Sequence, residues 1–151
     1  MSKILIKSRA AIEQMHFEPK TALISITDAN YTFAELIAEP DYVLRLAFDD
    51  VDNDIFADAI TDTDRDIIAD RYHMFKDEQA KQIAEFYDAI KDKADIIICQ
   101  CEHGQSRSAA VAAAILEHRS RNGIKIFAND KYYPNKVVFN KVLQALKAIE
   151  R

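Results

Sequence analysis

The sequence predicts an α/β fold built on a mainly parallel sheet. Apolar, β-branched runs alternate with segments whose apolar residues recur at helical spacing, the pattern of strands joined by crossover helices. The chain has 151 residues with no linker, repeat or low-complexity tract, a length that suits one packed unit. We therefore expect a single domain over residues 1–151, with a central sheet of about four or five strands flanked by helices.

Three strand candidates lie in the first third of the chain. Lys3–Lys7 is a short apolar run, and Ser8 after it is placed to cap a brief helix through about Met15. Thr21–Thr27 has the composition of a buried strand, and Tyr42–Phe48 is the third candidate. Each strand is bounded by polar or turn-forming residues, so the three are expected to be separate elements of one sheet.

The middle of the chain changes from acidic surface to apolar core. The Asp-rich stretch from Asp49 to about Asp70 is expected to lie at the surface and to be partly helical. Apolar residues at helical spacing predict an amphipathic helix over Asp77–Asp92. Asp95–Cys99 is a continuous apolar run, typical of a central strand covered on both faces.

Two further helices are predicted in the last third. Arg107–Arg121 is small and apolar on every side at its middle, so the helix is expected to be buried, with Gly123 ending it. Asn135 is placed to cap a last helix over Lys136–Glu150, whose apolar residues recur along one face.

Composition excludes several classes of function. The formal net charge of −5 argues against a nucleic-acid binder, which needs clustered cations on its surface. No apolar run approaches the roughly 20 residues that cross a bilayer, and the N-terminal apolar stretch is too short for a secretory signal. Two cysteines cannot build a disulfide framework, so reduced thiols and a cytoplasmic location are expected. Composition does not define an oligomeric state.

The most informative segment is the loop between the most strand-like run and the most buried helix. A strand-to-helix loop directs backbone N–H groups into one concavity, with the positive end of the helix behind them. Cys101 begins the loop, where the helix terminus and a guanidinium favour the thiolate. Arg107 can present a planar fork of donors to two phosphate oxygens, and Gly104 permits a close approach of the backbone. Ser108 can donate a hydrogen bond to the thiolate. The loop reads Cys101-Glu102-His103-Gly104-Gln105-Ser106-Arg107-Ser108.

These residues resemble the cysteine-based protein tyrosine and dual-specificity phosphatases, whose signature is Cys-x5-Arg followed by Ser or Thr. The likeness is nearest to small bacterial and phage-type members with a Cys-Glu-x-Gly-x-Ser-Arg-Ser loop. It covers about Tyr42 to Leu116, with Pro134-Asn135 also similar. The resemblance implies the cysteine-phosphatase fold and hydrolysis of phosphate monoesters, namely phosphotyrosine and also phosphoserine or phosphothreonine in proteins. It implies no metal and no organic cofactor.

The resemblance also implies a role for each residue of the loop. Cys101 attacks phosphorus to give a phosphocysteine, which water then hydrolyses, and Ser108 helps the thiolate leave. The guanidinium of Arg107 and the loop amides hold the phosphate oxygens. The residues implied in phosphate binding are Glu102, His103, Gly104, Gln105, Ser106 and Arg107.

A general acid is needed for the leaving group, and the family places an Asp after an upstream strand. The matching place follows Tyr42–Phe48, where Asp49 and Asp50 leave the sheet. The family pattern favours Asp50 as the acid, with Asp49 as the alternative. Both carboxylates can also be ordinary solvated loop charges or turn formers.

Two positions beside the nucleophile call for separate interpretation. The family usually has His before its cysteine, whereas this chain has Gln100, which can donate a hydrogen bond but cannot carry charge. Cys99 lies two residues before Cys101, on the same face of a strand. This placement is a poor fit to disulfide geometry, so packing in the core is favoured over a protective disulfide.

Two other functions remain open from the sequence. A phosphate- or phosphopeptide-binding module without catalysis would keep the loop and Arg107 but fail in the acid or the thiolate. A sulfur- or arsenate-handling enzyme would need a second reactive cysteine, and Cys99 is badly placed for that role. The partner expected on the main interpretation is a phosphorylated protein or peptide, with no nucleic acid and no membrane.

Overall fold

Four parallel strands form the central sheet of the structure, a computed structural model that describes residues 1–150. In spatial order the sheet is β1-β4-β2-β3, so β4 lies between β1 and β2 as expected of the most apolar strand. The predicted α/β class is confirmed, and the sheet is wholly parallel. The strands are β1 (Lys3–Ser8), β2 (Thr21–Thr27), β3 (Tyr42–Ala47) and β4 (Ile96–Cys101).

Helices cover both faces of the sheet. The larger core lies under three helices of 14 residues each, α3, α4 and α6, which pack on one another. A smaller cluster on the other face joins Ile12 and Ala34 to Leu23 and Ile98 of the sheet. Within residues 1–150 no helix combines the length and apolar character needed to cross a bilayer. The helices are α1 (Arg9–Ile12), α2 (Asp62–Arg71), α3 (Asp77–Ile90), α4 (Arg107–Ser120), α5 (Ile124–Phe127) and α6 (Lys136–Ile149), with a short 3-10 helix at Asn53–Phe56.

Most predicted elements are found, with shifted ends. The Ser8 and Asn135 side chains cap α1 and α6 as predicted, although α1 ends at Ile12 rather than near Met15. β4 runs two residues beyond the predicted end, because Gln100 and Cys101 continue to pair with β1. The nucleophile candidate therefore sits on the last residue of the central strand.

The α4 helix ends within one residue of the predicted Arg121, but the prediction that Gly123 ends it is wrong. Arg121 adopts the left-handed conformation, with φ 54°, and ends the helix there. Gly123 instead precedes α5 in a right-handed conformation. A Cβ at this position would lie 2.8 Å from the carbonyl oxygen of Ala113, so the glycine serves close packing of α5 on α4.

The α4 helix is buried from Arg107 through Ile115, and small side chains make this possible. It lies between the sheet and α6, where five alanines are fully inaccessible to solvent. Alanine at these positions lets neighbouring elements approach closely without voids. The start of α4 is thereby fixed against the end of β4.

We expect Ala112→Leu to lower the free energy of unfolding by about 1–3 kcal/mol, because the fully buried position has no room for three more carbons. Ala148→Leu is the matched control on the exposed side of α6. Denaturant titration of both variants checks the expectation. Equal stability of the two variants would contradict the packing described for α4.

Candidate active site

The loop between β4 and α4 packs closely against the end of β1. Gly104 has φ +68°, and a Cβ there would lie 2.8 Å from the amide nitrogen of Ser8 and 2.9 Å from the carbonyl carbon of Lys7. Only glycine fits both the left-handed conformation and this contact with backbone atoms. One of the two glycines in the chain is therefore required by the shape of this loop.

The carbonyl groups of the loop are bound by its surroundings. Glu102 O accepts from the amide of Arg9 at 3.1 Å, and Gln105 O accepts from the amide of Tyr133 at 2.8 Å. Ser106 O accepts from the amide of Asn135 at 3.2 Å. Two neighbouring segments, the start of α1 and the chain before α6, thus hold the loop in place.

The amide groups of the same loop are free of such bonds. Within residues 1–150, no N–H of residues 102–107 donates to a backbone carbonyl outside a regular helix or strand. No side chain caps α4 either, because Ser106 at the cap position donates its hydroxyl to Asp50 Oδ1 at 2.9 Å instead. Backbone donors at the start of a buried helix are suited to binding an anion.

Cys101 lies at the base of this loop and is 2% exposed. Its Sγ is 3.0 Å from Ser108 Oγ, so the predicted hydrogen bond between these two side chains is present. Cys99 is a free thiol in the core, and burial raises its pKa to about 12, with the Cys101 charge as a smaller contribution. Cys99 is therefore a neutral packing group.

Arg107 is buried, and its guanidinium is held from one side. Nη1 donates to Phe48 O at 2.7 Å and lies 2.8 Å from Asp28 Oδ1. Nε is buried and has no hydrogen-bond partner among the described residues. Because Nε and Nη2 form one edge of the planar guanidinium, that edge is available for a bidentate ligand.

The two acid candidates have different surroundings. Asp50 is exposed, and its Oδ1 accepts from Ser106 Oγ and from Asn135 Nδ2, each at 2.9 Å. Asp49 has a different partner, since its Oδ1 accepts from the amide of Ala29 at 3.0 Å. Asp50 is thus the carboxylate that the structure joins to the Cys101 loop.

Gln100 is buried and bonded on both ends of its amide. Its Oε1 accepts from Ser25 Oγ, and its Nε2 donates to Cys101 O at 3.1 Å. The side chain therefore fixes the peptide group between Cys101 and Glu102 without placing a charge there.

The remaining loop side chains have smaller parts in the geometry. His103 and Gln105 are exposed, and Glu102 lies 3.8 Å from Arg9 Nη1 in an ion pair. Any contact of these three residues with phosphate would therefore come from their backbone amides. Among residues 1–150, no group of three or more His, Cys, Asp or Glu side chains is arranged to hold a metal ion.

Two side chains that the sequence did not single out belong to the site. Asp28, which follows β2 directly, pairs with Arg107. Asn135 joins Asp50 to α6, having been predicted only as a helix cap. The available signal was topology: Asp28, Asp50 and Cys101 all lie at or just after the carboxyl ends of parallel strands, which meet at one edge of a sheet.

The sequence matches no protein-family model and no curated protein sequence. Solved structures do match its fold. The human tyrosine phosphatase-like serine/threonine/tyrosine-interacting protein is 19% identical with a TM-score of 0.53, over 85% of this chain and 77% of that one. Human DUSP28 is 15% identical with a TM-score of 0.52, over 97% of this chain and 92% of that one. The chain therefore has the fold of the dual-specificity and tyrosine-phosphatase-like proteins, as the loop resemblance implied.

We expect iodoacetamide to alkylate one cysteine of the native protein at pH 7 and both after denaturation. Burial raises the pKa of Cys99 to about 12, so this thiol stays neutral and unreactive at pH 7 in the native protein. Peptide mass spectrometry identifies the modified residue, with Cys101→Ser as the control that leaves the native protein unlabelled. Modification of Cys99 in the native Cys101→Ser protein would contradict its assignment to the core.

Proposed function

We propose that this protein hydrolyses phosphate monoesters through a phosphocysteine intermediate on Cys101. The observation that carries the proposal is the set of unpartnered donors around this thiol: the loop amides at the start of α4 and Nε of Arg107. Arg107 Nε is buried, and a buried donor is costly unless a ligand satisfies it. A tetrahedral phosphate dianion offers acceptor oxygens both to this donor and to the loop amides.

The first step transfers the phosphoryl group to sulfur. Cys101 Sγ forms a bond to phosphorus while the bond from phosphorus to the ester oxygen breaks. The loop amides and the free edge of Arg107 hold the three equatorial oxygens, where charge is spread in the transition state. Asp50, joined to the loop through Ser106, gives its proton to the departing oxygen.

The second step releases phosphate and restores the thiolate. Asp50, now a carboxylate, takes a proton from water as the water oxygen bonds to phosphorus. The sulfur–phosphorus bond then breaks, and Ser108 donates a hydrogen bond to the leaving sulfur from 3.0 Å away. No metal or organic cofactor takes part in either step as proposed.

We propose phosphorylated proteins or peptides as the substrates, with phosphotyrosine and also phosphoserine or phosphothreonine as the residue. The loop sequence supports a place among small bacterial or phage-type phosphatases, acting in the cytoplasm with reduced thiols. Glu102 disfavours a highly charged phosphoinositide, since a pocket for such a ligand gains from added cations.

A phosphoprotein-binding module is the second candidate. Two observations favour it: Gln100 places no charge beside the thiol, and Asp28 already offsets the charge of Arg107. One structural neighbour is named a phosphatase-like interacting protein, which is in keeping with binding as an activity of this fold. A module of this kind would bind phosphate through Arg107 without turnover.

We expect the wild type to hydrolyse small aryl phosphates between pH 5 and 8 in the presence of a chelator. Cys101→Ser should lose about 10³-fold or more in kcat, because the nucleophile is removed. Asp50→Ala should lose about 10²-fold with phenyl phosphate and less with para-nitrophenyl phosphate, since a good leaving group needs less help from an acid. Steady-state kinetics on both substrates give these values.

Asp49→Ala is the comparison variant, and its dependence on the leaving group should equal that of the wild type. The reverse result, a changed dependence for Asp49→Ala alone, would assign the acid to Asp49. An inert wild type that binds phosphate, with binding lost in Arg107→Ala, would reject catalysis and establish the binding module.

A further inference from the structure

Arg107 uses only one of its terminal nitrogens for contacts within the protein. Nη1 donates a hydrogen bond to Phe48 O at 2.7 Å and forms an ion pair with Asp28 Oδ1 at 2.8 Å. The guanidinium has five N–H donors in a fixed fork. Fixing Nη1 therefore fixes the direction of the opposite edge, which carries the buried and unpartnered Nε.

Asp28 itself is held at the start of its loop. The amide of Tyr31 donates to Asp28 O at 3.1 Å, which closes a turn directly after β2. The next residue, Ala29, donates its amide to Asp49 Oδ1 at 3.0 Å. The Asp28 side chain is 52% exposed, but these two hydrogen bonds hold the backbone at Asp28 and Ala29 in place.

Arg9 also holds the loop that carries Asp28, and its side chain is only 12% exposed. Its guanidinium donates to Thr32 O at 2.7 Å and to Phe33 O at 3.0 Å, and it lies 4.9 Å from the centre of the Tyr31 ring. The amide of Arg9 also donates to Glu102 O in the Cys101 loop. One residue therefore fixes the loop that carries Asp28 relative to the loop that carries Cys101.

We propose that Asp28 is a positioning residue that turns the Nε–Nη2 edge of Arg107 toward the bound phosphate. This inference rests on the proposed function, since it assigns a role in holding the same phosphate. The hydrogen bond to Phe48 O alone would let the guanidinium swing about that contact. The ion pair with Asp28 restricts this movement before the ligand arrives.

The charge of Asp28 weakens phosphate binding, whereas its placement beside Arg107 favours it. A carboxylate beside the guanidinium repels an incoming phosphate, so removing only the charge should favour binding. Asn keeps an oxygen at the same place and removes the charge, whereas Ala removes both. The two substitutions therefore separate positioning from simple electrostatics, because they should change phosphate affinity in opposite directions.

The test measures inhibition of para-nitrophenyl phosphate hydrolysis by inorganic phosphate. We expect Asp28→Ala to raise the inhibition constant about tenfold and to raise KM by a similar factor with a smaller change in kcat. Asp28→Asn should have an inhibition constant equal to or below that of the wild type. Asp58→Asn removes one charge from an exposed residue of the acidic segment and should leave all values unchanged.

Two results would overturn the positioning role. Phosphate binding by Asp28→Ala as tight as in the wild type, or tighter, would show that Asp28 does not position Arg107 for the ligand. An equal loss in Asp28→Asn and Asp28→Ala would show that an acceptor oxygen at this place does not suffice. Melting temperatures of both variants identify any loss caused by unfolding, and the Asn variant keeps the test valid if the Ala variant is unstable.

The same measurements separate this inference from the proposed function. A wild type that neither hydrolyses the ester nor binds phosphate by calorimetry overturns the proposed function, and the role of Asp28 with it. A wild type that does both, with an Asp28→Ala variant of unchanged affinity, overturns the positioning role alone.

Discussion

The α4 helix begins inside the protein with its first amide groups uncapped by any described side chain, and the rest of the site depends on this. Buried N–H groups require an acceptor. The surroundings bind the carbonyls of the preceding loop through Arg9, Tyr133 and Asn135, while the amides are left for a ligand. A parallel sheet makes this arrangement possible, because β4 ends and α4 begins at the edge where the other strands also end.

Acidic side chains around the loop have distinct tasks. Asp50 contacts the loop through Ser106, Asp49 holds the backbone beside Asp28, and Asp28 contacts the guanidinium of Arg107. Each of these three carboxylates is thus bound to donors at or beside the site. A phosphate ligand would meet the guanidinium of Arg107 already oriented, and this lowers the entropic cost of binding.

The sequence predicts the fold class and the loop because both depend on local patterns. The apolar run before Cys101 and the small-residue helix after Arg107 indicate a buried strand and helix directly. The Asp28–Arg107 pair spans a large separation in sequence, so no local pattern encodes it. The sequence places the end of α4 correctly near Arg121 but assigns it to Gly123, because glycine usually takes the left-handed position; here Arg121 takes it and Gly123 provides close packing. The extension of β4 to Cys101 was not predicted either, because it depends on the pairing of β4 with β1.

The most direct test of the account is a crystal structure of the protein with orthovanadate, an analogue of the phosphoryl group in transfer. The account predicts vanadium bonded to Cys101 Sγ, equatorial oxygens on the loop amides and on Nε and Nη2 of Arg107, and Nη1 still on Phe48 O and Asp28. Vanadate bound away from Cys101, or bound through Nη1 after release of Asp28, would contradict it.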